Sequence, residues 1–203
     1  MHRTHKLYIA CKLTRSGSKA MEKYNLYVVL TRTNSIVSQM IHFVTKDEFT
    51  HSAISFHKDL REMYSFARKY ANNPFIGRFR TEELDKGLYG RQKTLPGAVI
   101  ELDVTKEQYE KARAIVDEFI KNSSKYKYNY IGLLNSWLGR NVVYEYRFVC
   151  SEFVYHVLHE SGVVDFNVSR NLVTPLDLLR VPGKIIYKGD LKRYHCTLAE
   201  VEH

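Results

Sequence analysis

Cysteine is scarce in this chain. Cys11, Cys150 and Cys196 are the only three among 203 residues, an odd number at wide spacing. This excludes a disulfide framework and any paired C-x-x-C zinc pattern, and no other metal or cofactor signature is present. A reduced, cytoplasmic setting fits best. Glycine (10) and proline (4) are also few, and no glycine-rich loop of the P-loop or dinucleotide type occurs. There is no internal repeat and no low-complexity segment. No apolar run approaches the roughly 18–20 residues of a membrane span. The basic N-terminus carries one apolar run, Leu7 to Cys11, which is too short for a signal peptide. The expectation is a cytoplasmic protein without a transmembrane segment.

What the chain does have is apolar and aromatic content, 44% and 13% respectively. That suffices for one domain with a sizeable core and argues against disorder. We expect residues 1–24 to be an N-terminal strand or extension and residues 25–203 to be a single domain. The net charge is +9, which favours anionic partners as a class. The cations are spread along the chain rather than gathered in a run. That reads as a generally basic surface and not as a specific nucleic-acid interface.

The pattern of elements is α+β. Tyr27 to Thr31 and Ala98 to Val104 read as strands by their β-branched and aromatic content. Thr33, Asn34 or Ser35 can cap a helix with an apolar face from Ile36 to Val44, on which His42 is a surface or packing residue. Thr105 and Gln108 make a capping box for a helix to about Asn122, with Tyr109, Ala112, Ile115, Val116, Phe119 and Ile120 as its buried stripe. Asn72 to about Gly97 reads as a long connection, either facing substrate or carrying short strands. Gly132 to Leu134 and Trp137-Leu138 look buried. The Lys125-Tyr126-Lys127-Tyr128 alternation could serve single-stranded nucleic acid, but its aromatics suit a core better. Thr174 caps a helical turn with Pro175 as its first residue, and Lys184 to Tyr187 is a last strand.

Three stretches carry possible chemistry. In Phe148-Val149-Cys150-Ser151-Glu152-Phe153-Val154 an extended approach turns into a helix. Val149, Phe153, Val154, Val157 and Leu158 form its packed face, and Gly162 is a plausible stop. Cys150 then lies in the first turn, where unpaired N–H groups and the helix dipole favour a thiolate. A buried cysteine that merely packs is the bland alternative. Phe49 to His57 alternates as a strand with His51 at its mouth, and Leu60 to Ala67 returns beside it. Ser65 comes opposite the His51 end, the arrangement a general base and its orienter need.

The segments Phe49-Thr50-His51-Ser52-Ala53-Ile54, Met63-Tyr64-Ser65-Phe66 and Phe148-Val149-Cys150-Ser151-Glu152-Phe153-Val154 occur in that order. Together they resemble the circularly permuted branch of the NlpC-type papain-like hydrolases, over roughly residues 25–190. The resemblance implies a papain-like fold with an antiparallel sheet packed against helices. It implies Cys150 as nucleophile, His51 as general base and Ser65 at the third position, with Glu62 and His57 as other candidates there. It further implies attack on an amide or ester carbonyl through a thioester acyl-enzyme, without metal or cofactor. A peptide, peptidoglycan-like or acyl-lipid substrate would then be the partner. Acyl transfer, or a non-catalytic module holding an anionic polymer or lipid, are the competing readings.

Overall fold

The structure, a computed structural model, describes residues 23–32, 48–70 and 73–194. Its strands are β1 (Tyr24–Thr31), β2 (His51–Ser55), β3 (Met63–Tyr70), β4 (Asn73–Glu82), β5 (Pro96–Val104), β6 (Lys127–Tyr128), β7 (Arg147–Phe148) and β8 (Lys184–Asp190). They form one sheet in the order β7-β6-β4-β3-β2-β1-β5-β8. Every paired neighbour is antiparallel except β6 and β7. The helices are α1 (Gly87–Gly90), α2 (Lys106–Lys121), α3 (Tyr130–Trp137) and α4 (Cys150–Glu160). The architecture is α+β. The expected helix from Ile36 to Val44 with His42, the N-terminal segment up to residue 22, Cys11 and Cys196 lie outside the described residues.

β1 sits inside the sheet between β2 and β5 and is buried on both faces. Leu26, Val28 and Leu30 join the core under α2 and α4, while Tyr27 and Val29 join a second core with Tyr89, Leu95, Leu191 and Tyr194. This double burial is why residues 26–30 read as a nearly continuous apolar run rather than an alternating one.

On the helical side, α2 begins with the expected capping box. The Gln108 N–H donates to Thr105 Oγ1 at 3.1 Å and the Thr105 N–H to Gln108 Oε1 at 3.0 Å. Ala112, Val116 and Phe119 are buried. The Phe119 ring lies 5.1–5.7 Å from those of Phe153, Phe148 and Phe79. This aromatic cluster clamps α2 and α4 onto the sheet. Burial of each large side chain stabilises by about 1.5–3 kcal/mol before entropy is counted.

α4 ends as expected at Gly162. The Gly162 N–H donates to His159 O at 2.9 Å and the Val163 N–H to Leu158 O at 2.8 Å, the paired bonds of a Schellman motif. Gly162 has φ +74°, which a glycine adopts without cost.

Four local expectations change. The connection after Asn72 is mostly strand: β4 pairs with β3 from Asn73 to Glu82. Pro74 and Gly77 mask it in the sequence, but among the described residues β4 meets β6 only through Arg78, and a strand with few partners on one edge tolerates a proline. Ile120 is 42% exposed and lines a cavity instead of closing the α2 stripe, and Leu138 is 58% exposed. Thr174 accepts from the Asp177 N–H at 3.3 Å, but the helical turn is a 3₁₀ helix at Asp177–Arg180 and so begins after Pro175 instead of at it.

Candidate active site

β7 delivers the chain directly into α4. Val149 is the extended N-cap residue (φ −93°, ψ 171°) and Cys150 the first helical residue. Valine has no side-chain acceptor, so the first turn is closed from the other side. The Val149 N–H donates to Glu152 Oε2 at 3.1 Å, and Asn129 Nδ2 reaches the same oxygen at 3.4 Å. Glu152 is 1% exposed. Arg170 Nε lies 3.5 Å from Glu152 Oε1. The Arg170 guanidinium also rests 4.2 Å above the Phe148 ring and donates to Tyr144 O at 2.7 Å. Burial pushes the Glu152 carboxyl up, against the pull of the Val149 N–H and Arg170.

His51 opens β2, in register with Thr31 of β1. The pairing of Ile54 with Tyr64 sets β3 so that Ser65 lies beside Ala53, on the face His51 shares. His51 Nε2 is 2.9 Å from Glu82 Oε2 and 3.3 Å from Ser65 Oγ. The Ser65 hydroxyl donates to Glu82 Oε2 at 2.5 Å. The imidazole is hydrogen-bonded to the Cys150 thiol as well. Thus Cys150, His51 and Ser65 come together, and the residue that completes the row is Glu82.

The electrostatics follow from this chain of contacts. Burial alone would lower the pKa of His51, but the Glu82 and Cys150 charges outweigh it and raise it far above the ordinary imidazole value. Burial would likewise raise that of Cys150. The His51 charge and hydrogen bond, with the Ser52 N–H and hydroxyl, hold it below the ordinary thiol value instead. Ser52 Oγ is buried without a nitrogen or oxygen hydrogen-bond partner among the described residues. Glu82 is kept low, its burial overcome by His51, Ser65 and Arg80. Both shifts favour the charged forms of the thiol and the imidazole.

Tyr89 of α1 flanks the pair. Its ring meets His51 edge-on at 6.2 Å, and its hydroxyl lies 3.3 Å from Thr31 Oγ1 and is hydrogen-bonded to Glu82. Burial raises its pKa well above the usual phenol value, so it stays protonated as a donor. A cavity of about 190 Å³ opens beside Glu82 and Tyr89.

The other candidates for the third position lie elsewhere. His57 is bonded to Arg61 at 2.8 Å, and the Glu62 carboxylate accepts from the Tyr64 hydroxyl at 2.9 Å. Glu82 was hidden because residues 72–97 read as a connection. The only signal for it is the short Arg78-Phe79-Arg80-Thr81-Glu82 alternation, which puts Glu82 on the face of Arg78 and Arg80. Among the described residues, no three His, Cys, Asp or Glu side chains gather in a way that could hold a metal ion, and no helix is long and apolar enough to cross a membrane.

Comparison with protein-family models, with curated proteins and with solved structures finds no match to this chain.

Proposed function

We propose that this protein is a cysteine hydrolase of amide or ester bonds, built as a circularly permuted papain-like domain. The reading is carried by the hydrogen-bonded row Cys150–His51–Glu82, in which a buried thiol at a helix start meets an imidazole fixed by a carboxylate 2.9 Å away.

In this proposal the Cys150 thiolate attacks the carbonyl carbon of the substrate. A C–S bond forms while the carbonyl π electrons move to oxygen, and the Cys150 backbone N–H at the start of α4 donates to that oxygen. Collapse breaks the C–N or C–O bond, and the imidazolium proton of His51 goes to the leaving amine or alcohol. His51 then takes a proton from water, the hydroxide attacks the thioester, and the acid and the thiolate are released. Glu82 holds the imidazole in one tautomer and stabilises its charged form throughout. Ser65 and Tyr89 position Glu82. Peptide, cell-wall peptide or acyl-lipid substrates all present the required carbonyl.

The test is the pH dependence of iodoacetamide alkylation at each cysteine, read by peptide mass spectrometry. Cys150 should react well below the free-thiol value of about 8.5, and His51→Ala should move its profile up towards that value. A Cys150 no more reactive than Cys196 at any pH would sink the proposal. If the first result holds, Cys150→Ala should abolish labelling by thiol-directed acyl probes while its circular dichroism stays that of the wild type.

A further inference from the structure

Away from Cys150, the far edge of the sheet carries an arrangement that folding alone does not favour. Arg78 of β4 is the register partner of Lys127 of β6, and Lys127 is the register partner of Arg147 of β7. Register partners project from the same face, so three cations stand in a row across three strands. At the usual strand spacing the row spans about 10 Å. Like charges placed directly opposite one another destabilise a sheet. None of the three side chains has a carboxylate at ion-pair distance among the described residues. Two carboxylates of the neighbouring segments, Glu118 and Glu145, are turned to the hydroxyls of Tyr126 and Tyr146.

The row borders a built cavity. Beyond Arg78 the chain at Ser123–Tyr126 diverges from β4 and leaves an open space of about 640 Å³. Arg78, Arg80 and Lys127 line it with the hydroxyl-bearing Ser123, Ser124 and Thr81, and no carboxylate lines it. Its size is that of a ligand site, but its lining is more polar than apolar ligands require. Guanidinium forks and hydroxyl donors match a group with several acceptor oxygens and more than one negative charge, which a phosphate has and a single carboxylate lacks.

We propose that the Arg78–Lys127–Arg147 row, with Arg80 and the adjoining cavity, binds a phosphate-bearing group. The site meets the Cys150 row only through the charge of Arg80, which also acts on Glu82. Its ligand is either a soluble phosphate compound or the phosphate of a lipid headgroup, and the test separates the two.

Sodium pyrophosphate is titrated calorimetrically into the full chain, and sedimentation is measured with phosphatidylcholine vesicles with and without phosphatidic acid. Binding to pyrophosphate identifies a soluble ligand class, and binding to phosphatidic acid vesicles alone identifies a headgroup. In either case affinity should fall steeply from about 20 to about 200 mM sodium chloride. Arg78→Gln/Lys127→Gln should weaken binding at least about tenfold, since it removes two of the charges that carry it. Lys127→Arg and Cys150→Ala should bind like the wild type. The neutral double variant should also melt about 1–3 °C higher without ligand, because a like-charge contact is gone. Absence of wild-type binding to both probes at low salt overturns the proposal. So does an equal loss of binding in Lys93→Gln/Lys106→Gln, two exposed lysines away from the row, because generic surface charge would then explain it. Should the Arg78/Lys127 variant not fold, Arg147→Gln against Lys127→Arg gives the same discrimination.

Discussion

At the scale of single residues, the candidate site is a problem of charge held out of water. Glu82 is 8% exposed and His51 is 16% exposed at their side chains, so each charge depends on its neighbour. Replacing Glu82 by Gln keeps the shape and removes the charge that lifts the His51 pKa. The imidazolium then becomes less stable, and the thiol pKa rises with the loss of its partner. The expected outcome for Glu82→Gln is a Cys150 alkylation rate at pH 6 reduced at least about tenfold, since each unit of thiol pKa changes the thiolate fraction tenfold below the pKa. Ser65→Ala, which removes a donor to Glu82 and a contact to His51 but no charge, should have a smaller effect in the same direction. A Glu82→Gln profile superimposable on the wild type would mean that Glu82 does not support the pair.

His156 is a second residue whose environment decides its charge. It lies against Phe119 and Phe148, and its pKa is lowered to about 4, first by burial and then by Arg170. Glu160 and Glu118 oppose the shift, while His159 adds to it. The folded pKa is below the unfolded value of about 6.5, so the unfolded chain binds the proton first. This contribution is whole above pH 6.5 and is lost as pH falls from 6.5 towards 4. With its side chain 23% exposed, it amounts to about 1–3 kcal/mol. His156→Phe should flatten the loss of melting temperature between pH 6.5 and 4. An unchanged slope would show that other groups carry the acid sensitivity.

At the scale of elements, the start of α4 is the point where sequence and structure meet most closely. The Cys-Ser-Glu-Phe helix start, the apolar spacing after it and Gly162 beyond it are local signals, and each corresponds to a feature of the structure. The partners that build the site around that start are non-local. Glu152 depends on Asn129 and Arg170, and His51 depends on Glu82 from a strand that proline and glycine disguise. Local pattern marks where an element begins; it cannot report which carboxylate a distant strand brings to an imidazole. Ser65 is legible in the sequence because a hairpin register connects it to His51. Glu82 is not, because two registers in succession are needed to place it.

The Glu152 brace gives a prediction at this scale. Truncation by Glu152→Ala leaves the Val149 N–H without its acceptor and Arg170 without its ion-pair partner in a buried place. We expect a loss of about 3 kcal/mol, read as a fall of about 6–12 °C in melting temperature for a chain of this size. Glu152→Gln keeps an acceptor for Val149 and should cost about 1 kcal/mol. Equal costs for the two variants would indicate that the Arg170 charge, and not the N–H, is what Glu152 chiefly serves.

At the scale of the whole molecule, the sheet separates two kinds of surface. One region holds a largely buried thiol, imidazole and carboxylate. The far edge carries a row of three cations beside an open cavity. The chain's +9 charge is thus not only a diffuse property, because part of it stands in a row fixed by strand pairing. Tyr126 accounts for the lysine–tyrosine alternation near that row. Its ring stacks on Phe119 at 4.0 Å and serves the core, while Lys127 faces outward.

The position of α4 in the chain has a consequence for the protein's synthesis. His51 and Glu82 leave the ribosome well before Cys150, and β8, which pairs with β5 at the sheet edge, leaves last. In the proposed mechanism a Cys150 with no imidazole docked beside it is an ordinary thiol. It acquires its acidity only when the helix docks onto strands made much earlier. In the proposed mechanism, the appearance of a reactive Cys150 therefore reports that the sheet and α4 have come together.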